Sequence, residues 1–151
     1  MTDNLSPAGH AANIDAARQR LTDFVQGCTE AQWASSPVDG DPRPVGVISD
    51  HVAHAYEYLA GWISEIVDGG SPQVDSEIVD ELNADHAAGV SVPTQAQVAE
   101  HLKSSGDTLI ALVGGLEPAQ LELGEGRVAR FAMIAARHAD SHRQEIEEQL
   151  P

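Results

Sequence analysis

His138 and His142 stand four residues apart, a spacing that on a helix sets two imidazoles one turn apart, with Cα atoms about 6 Å distant and side chains leaning the same way. Both rings then reach one metal ion at ~2.0–2.1 Å, as in zinc sites built on two helical histidines. A third histidine, His51, falls on the apolar stripe of another helical segment. An imidazole on an apolar stripe is costly unless its nitrogens are satisfied. One solution is local: three unrelated core histidines, each bonded to a carbonyl or carboxylate, their rings far apart. The other is shared: three neutral imidazoles, with no cysteine and no core carboxylate beside them, converge on Zn²⁺, Ni²⁺, Fe²⁺ or Co²⁺. An ion so held keeps a coordination position open, and there it activates a water or a thiol for attack on an electrophile.

Such residues need elements to hold them, and the apolar residues recur at helical spacing with no strand-like alternation. A first helix is expected from Ala11 to Gln26, carrying Ile14, Ala17, Leu21, Phe24 and Val25 and stopped by Gly27. Thr29 to Gln32 has capping-box form and opens a short turn holding Trp33, followed by a Pro/Asp/Gly loop from Ser36 to Pro44. The next helix, Val45 to Val67, places Ile48, His51, Val52, Ala55, Tyr58, Leu59, Trp62, Ile63 and Ile66 on one stripe. Asp50, Glu57 and Glu65 fall off that stripe, and His54 lies at its edge. A weaker helix spans Asp75 to Ala88, with Asn83, Asp85 and His86 near its end. Thr94 to Gln97 is a second capping box, opening a helix that reaches Val113 before Gly114-Gly115. The last helix, Val128 to Gln149, puts Phe131, Ile134, Ala135, His138, His142 and Ile146 on one face. The fold expected is all-α, a four-helix bundle of up-down type with a longer connection between its second and third main helices.

Composition narrows the function. The chain has 151 residues, with 24 acidic against 8 basic side chains and a formal net charge of −16. Residues 1–151 are expected to form one domain that buries roughly two-thirds of its unfolded surface, so no metal is needed for folding. The acidity argues against nucleic-acid and anionic-membrane partners. A lone cysteine, Cys28, forms no internal disulfide, the N-terminal residues lack signal-peptide character, and no apolar run approaches the ~18 residues of a membrane span, which together point to the cytoplasm.

Other chemistry is sparse. His54, His86 and His101 are expected at the surface or rim, with His101 at the core edge beside Val98 and Leu102. Cys28 has no positive neighbour in sequence and reads as a structural thiol. Arg137 and Arg143 flank the paired histidines. As solvated helix charges they need no function; alternatively, Arg143 clamps a carboxylate substrate at the pocket mouth. No nucleophile elbow, phosphate loop or dinucleotide fingerprint occurs.

The stretch Val45-Gly-Val-Ile-Ser-Asp-His51-Val-Ala-His-Ala-Tyr-Glu-Tyr58, followed by His138-Ala-Asp-Ser-His142-Arg-Gln-Glu-Ile146, resembles the DinB/YfiT-like superfamily, including its mycothiol-dependent maleylpyruvate isomerase type, over nearly the whole chain. Val79 to His86 also resembles the asparagine-containing stretch of the isomerase-like branch. The resemblance implies a metal-binding four-helix bundle with His51, His138 and His142 as ligands and zinc or nickel as the leading ions. It further implies thiol-dependent transferase, isomerase or hydrolase chemistry, with a low-molecular-weight thiol of the mycothiol kind, an electrophilic small substrate and a homodimer as candidate partners. Arg43 stands where many members have tryptophan, and a chain ending at Pro151 is expected to lack the isomerase's additional C-terminal domain, so that particular reaction is not implied. The alternative is a non-catalytic metal- or ligand-binding stress-response bundle, favoured by the absence of an evident general base beside the three histidines.

Overall fold

The computed structural model describes residues 5–89 and 91–150. Its helices are α1 (Pro7–Gly27), α2 (Glu30–Ala34), α3 (Val45–Val67), α4 (Ser76–Gly89), α5 (Gln95–Gly114) and α6 (Arg127–Gln149), with a 3₁₀ turn at Pro118–Glu122 before α6. No strand occurs among the described residues. The first helix begins a turn earlier than Ala11 because Ser6-Pro7 is itself a start signal: the Ser6 hydroxyl accepts from the Gly9 N–H at 3.0 Å and Pro7 presets the first helical φ. Both expected capping boxes form, at Thr29/Gln32 and at Thr94/Gln97.

The long helices α1, α3, α5 and α6 enclose one core, in which Ile14, Leu21, Val52, Tyr56, Ile63 and Leu109 are fully buried. Each of α1 and α3 packs chiefly on α5 and α6, so α1 and α3 face each other across a diagonal. Gln95, at the start of α5, donates to the carbonyls of Val25 and Cys28 at the end of α1 (2.7 and 2.8 Å), so those two helices run antiparallel. On α3 and α6, His51 meets His138 while Trp62 meets Phe131, which is also an antiparallel register. At the start of α3, by contrast, Trp33 lies against Gly46 and donates through Nε1 to the carbonyl of Pro93, just before α5, at 2.7 Å. α3 and α5 therefore start at the same end and run parallel, which the long connection containing α4 makes possible. A Cβ on Gly46 would sit 2.8 Å from the Trp33 indole, so only glycine admits this contact.

Three stripes differ from their sequence reading. On α3, Tyr58 and Trp62 are half-buried, while Asp50 and Tyr56, outside the expected stripe, are buried. On α6 the buried residues are Val128, Phe131, Ala132, Ala135, Ala139 and Ile146, while Ile134 is 48% exposed. Three alanines let α6 approach its neighbours closely, and the contact line passes through them rather than through Ile134. The helix α4 buries no residue completely; Ile78, Val79, Leu82, Asn83 and His86 are half-buried on the side facing α3. No helix among the described residues is long and apolar enough to cross a membrane.

Candidate metal centre

His51, in the second turn of α3, and His138 and His142, one turn apart on α6, meet where the two antiparallel helices face each other. The Nε2 atom of His138 lies 3.1 Å from that of His51 and 2.9 Å from that of His142. The ring centroids are 4.5 to 5.3 Å apart. This removes the picture of three unrelated histidines with distant rings. A single Nε2 carries either a proton or a lone pair, so the central atom of His138 cannot donate to one neighbour and accept from the other. Three nitrogens brought this close can instead serve as the donor set of a cation. Metal–nitrogen bonds of ~2.0–2.1 Å at tetrahedral angles set nitrogens roughly 3.3 Å apart, close to the spacing seen.

Their electrostatics fit the same role. Burial, aided by the charges of His138, His142, Arg43 and His86, drives the His51 pKa down to about 2. Burial, then His142 and Arg43, brings His138 to about 4. His142 is also lowered, by burial first and the Arg43 charge second. All three rings are thus neutral at pH 7, with lone pairs available. Arg43 is itself bound to Asp41 by paired bonds, the shortest 2.7 Å.

Beside this centre lies a polar cluster of residues that the apolar stripe alone leaves in solvent. Asp50, expected off the stripe, is only 7% exposed and supplies the core carboxylate thought to be absent. Its Oδ2 meets Nε2 of His86 and its Oδ1 meets Nδ1 of His101, each at 2.7 Å, while Nε2 of His101 meets Glu57. His86 is no surface residue: its side chain is 7% exposed, it stacks on His54 at 5.1 Å, and its ring lies 6.0 Å from that of His51. His101 keeps a rim position, with its side chain 31% exposed. Residues off the apolar stripe of α3 are not all solvated, because α4 and α5 cover that flank. The signal was present: Asp50, His54 and Glu57 repeat at i, i+4 and i+7, a polar stripe alongside His51.

The remaining candidates sort simply. Arg143 bonds to Glu147 (2.9 Å) and approaches Asp140 (3.4 Å) on its own helix, its side chain 16% exposed, and Arg137 is exposed. Cys28 is buried, and burial together with the Glu147 charge pushes its thiol pKa up, which keeps it protonated. From His54 a row of aromatic rings leads through Tyr58 and Trp62 to Phe131, with centroids 5.7, 4.8 and 5.5 Å apart, and so joins α3 to α6.

Comparison with curated proteins gives no match. The family model of the DinB superfamily matches residues 13–146, a span that holds the bundle and all three histidines, and the chain belongs to that superfamily.

Proposed function

We propose that the protein is a metal-dependent enzyme that joins a low-molecular-weight thiol, of the mycothiol kind, or water to a small electrophilic substrate, as a transferase, isomerase or hydrolase. The observation that carries this reading is the convergence of three neutral Nε2 atoms on one point. A divalent ion there, zinc or nickel first, supplies Lewis-acid activation of a water or thiol ligand. The chain's own residues do the rest. Asp50, which can only accept, holds the proton of His86 on Nε2 and leaves Nδ1 as a proton-accepting atom beside the centre. Arg43, held by its pairing with Asp41, sets a positive charge next to these histidines and helps to keep His142 unprotonated.

The non-catalytic reading rested on the want of a general base, and the Asp50–His86 pair supports the enzymatic one instead. The test is elemental analysis of protein purified without a nickel column. Wild type is expected to hold or take up about one equivalent of zinc or nickel and His51→Ala less than about a tenth. Wild-type protein that binds no added ion overturns the assignment. Metal- and thiol-dependent turnover of electrophilic acceptors then separates an enzyme from a binding bundle.

A further inference from the structure

The helix α4 buries no residue outright, yet two of its polar atoms have neither accessible surface nor a hydrogen-bond partner: Oδ1 of Asn83 and Nδ1 of His86. They stand three residues apart, on one face of the helix, the face turned to α3. Buried acceptors without partners are uncommon and call for an explanation. The chemistry of both can be read. The Asp50 carboxylate only accepts, so the proton of a neutral His86 ring is on Nε2 and Nδ1 presents a lone pair. The amide oxygen of Asn83 also presents lone pairs. Two acceptors side by side, with the Asp50 carboxylate behind them, receive a donor and repel an anion. The centroid of the His86 ring is 6.0 Å from that of His51, so this face borders the histidine centre.

We propose that the inner face of α4 is the specificity wall of the metal centre, where Asn83 Oδ1 and His86 Nδ1 accept hydrogen bonds from a hydroxyl, amide N–H or ammonium group of the molecule bound at His51, His138 and His142. This rests on the metal reading above. It adds that the ligand bears a hydrogen-bond donor close to its metal-binding atom, and that ligands differing only in that donor are told apart by α4.

The test uses the full chain loaded with Co²⁺, whose absorption band with bound thiolate reports binding without any turnover. Two probes differ in one donor: 2-mercaptoethanol has a hydroxyl, 2-methoxyethanethiol has an ether in its place. Wild type is expected to bind 2-mercaptoethanol about fivefold more tightly, the worth of a net hydrogen bond. Asn83→Leu, of similar volume and without an acceptor, is expected to reduce that ratio toward one, with cobalt content and affinity for the ether unchanged. Asn83→Asp, which keeps an acceptor oxygen, is expected to retain it, and His86→Phe to lose it as Asn83→Leu does. Equal binding of the two thiols by wild type, a ratio indifferent to both Asn83→Leu and His86→Phe, or no thiol band on fully cobalt-loaded protein overturns the proposal while the metal reading stands. Failure of wild type to take up cobalt overturns both.

Discussion

An imidazole can bind a metal only without its proton, and in this protein burial holds three histidines in that state. Because His51, His138 and His142 have folded pKa values below the ordinary value of 6.5, the unfolded chain binds protons that the folded one refuses, and stability falls as pH drops below about 6.5. The decline continues through about 4, where His138 titrates, toward about 2 for His51. His101 acts in the opposite sense. Burial works against its charge, but its bonds to Asp50 and Glu57 raise its pKa, so its contribution is full at low pH and fades as pH rises through the folded value. Urea-unfolding midpoints of the metal-free protein should therefore fall steadily from pH 7 to pH 4; a flat profile would contradict the buried neutral rings. Removing the nearby charge with Arg43→Gln should raise the pKa of His142, read by NMR titration of the metal-free protein. At this scale the cluster of three histidines was legible because the four-residue spacing and the apolar stripes are properties of one helix at a time. Asp50 was not, since its burial depends on two other helices covering its side of α3.

Among the elements, the best-read features are the most local. The two capping boxes declare themselves within four residues, and both form. The face of α6 is less local: Ile134 has the right period but loses its place to three alanines, because packing distance between helices is a tertiary property. Close packing also constrains the start of α3. Gly46→Ala should destabilise the fold by about 1–2 kcal/mol, since the clash with Trp33 outweighs the helix-propensity gain. That corresponds to a melting temperature lower by roughly 2–8 °C. An unchanged or higher melting temperature would mean that the indole can move aside. The contrast between α4 and the bundle gives another expectation. With no fully buried residue, α4 opens more readily than the core helices, so its amides should exchange with deuterium well before those in the middle of α3 and α6. Protection of α4 equal to that of α3 would show that the Asp50–His86 link and the half-buried apolar face hold it as firmly as a core helix.

For the whole molecule, a charge of −16 on 151 residues is a standing self-repulsion. Screening should relieve it, so thermal stability is expected to rise between about 10 mM and 150 mM sodium chloride, as the Debye length falls from ~30 to ~8 Å. A melting temperature that falls over this range would show that the ion pairs Arg18–Asp107 and Arg20–Asp140 between helices outweigh the repulsion. The bundle's class was legible from helical periodicity alone, whereas the diagonal placement of α1 and α3 and the parallel course of α3 and α5 were not, because several helix orders bury the same stripes. That order has a consequence in time. His51 precedes His138 by 87 residues, and α5 and the 3₁₀ turn lie between them. A growing chain passes through α1 to α5 holding one of the three histidines, so the cluster is complete only after synthesis through His142. On the proposed metal reading, the ion would then be taken up by the finished bundle rather than by the emerging chain.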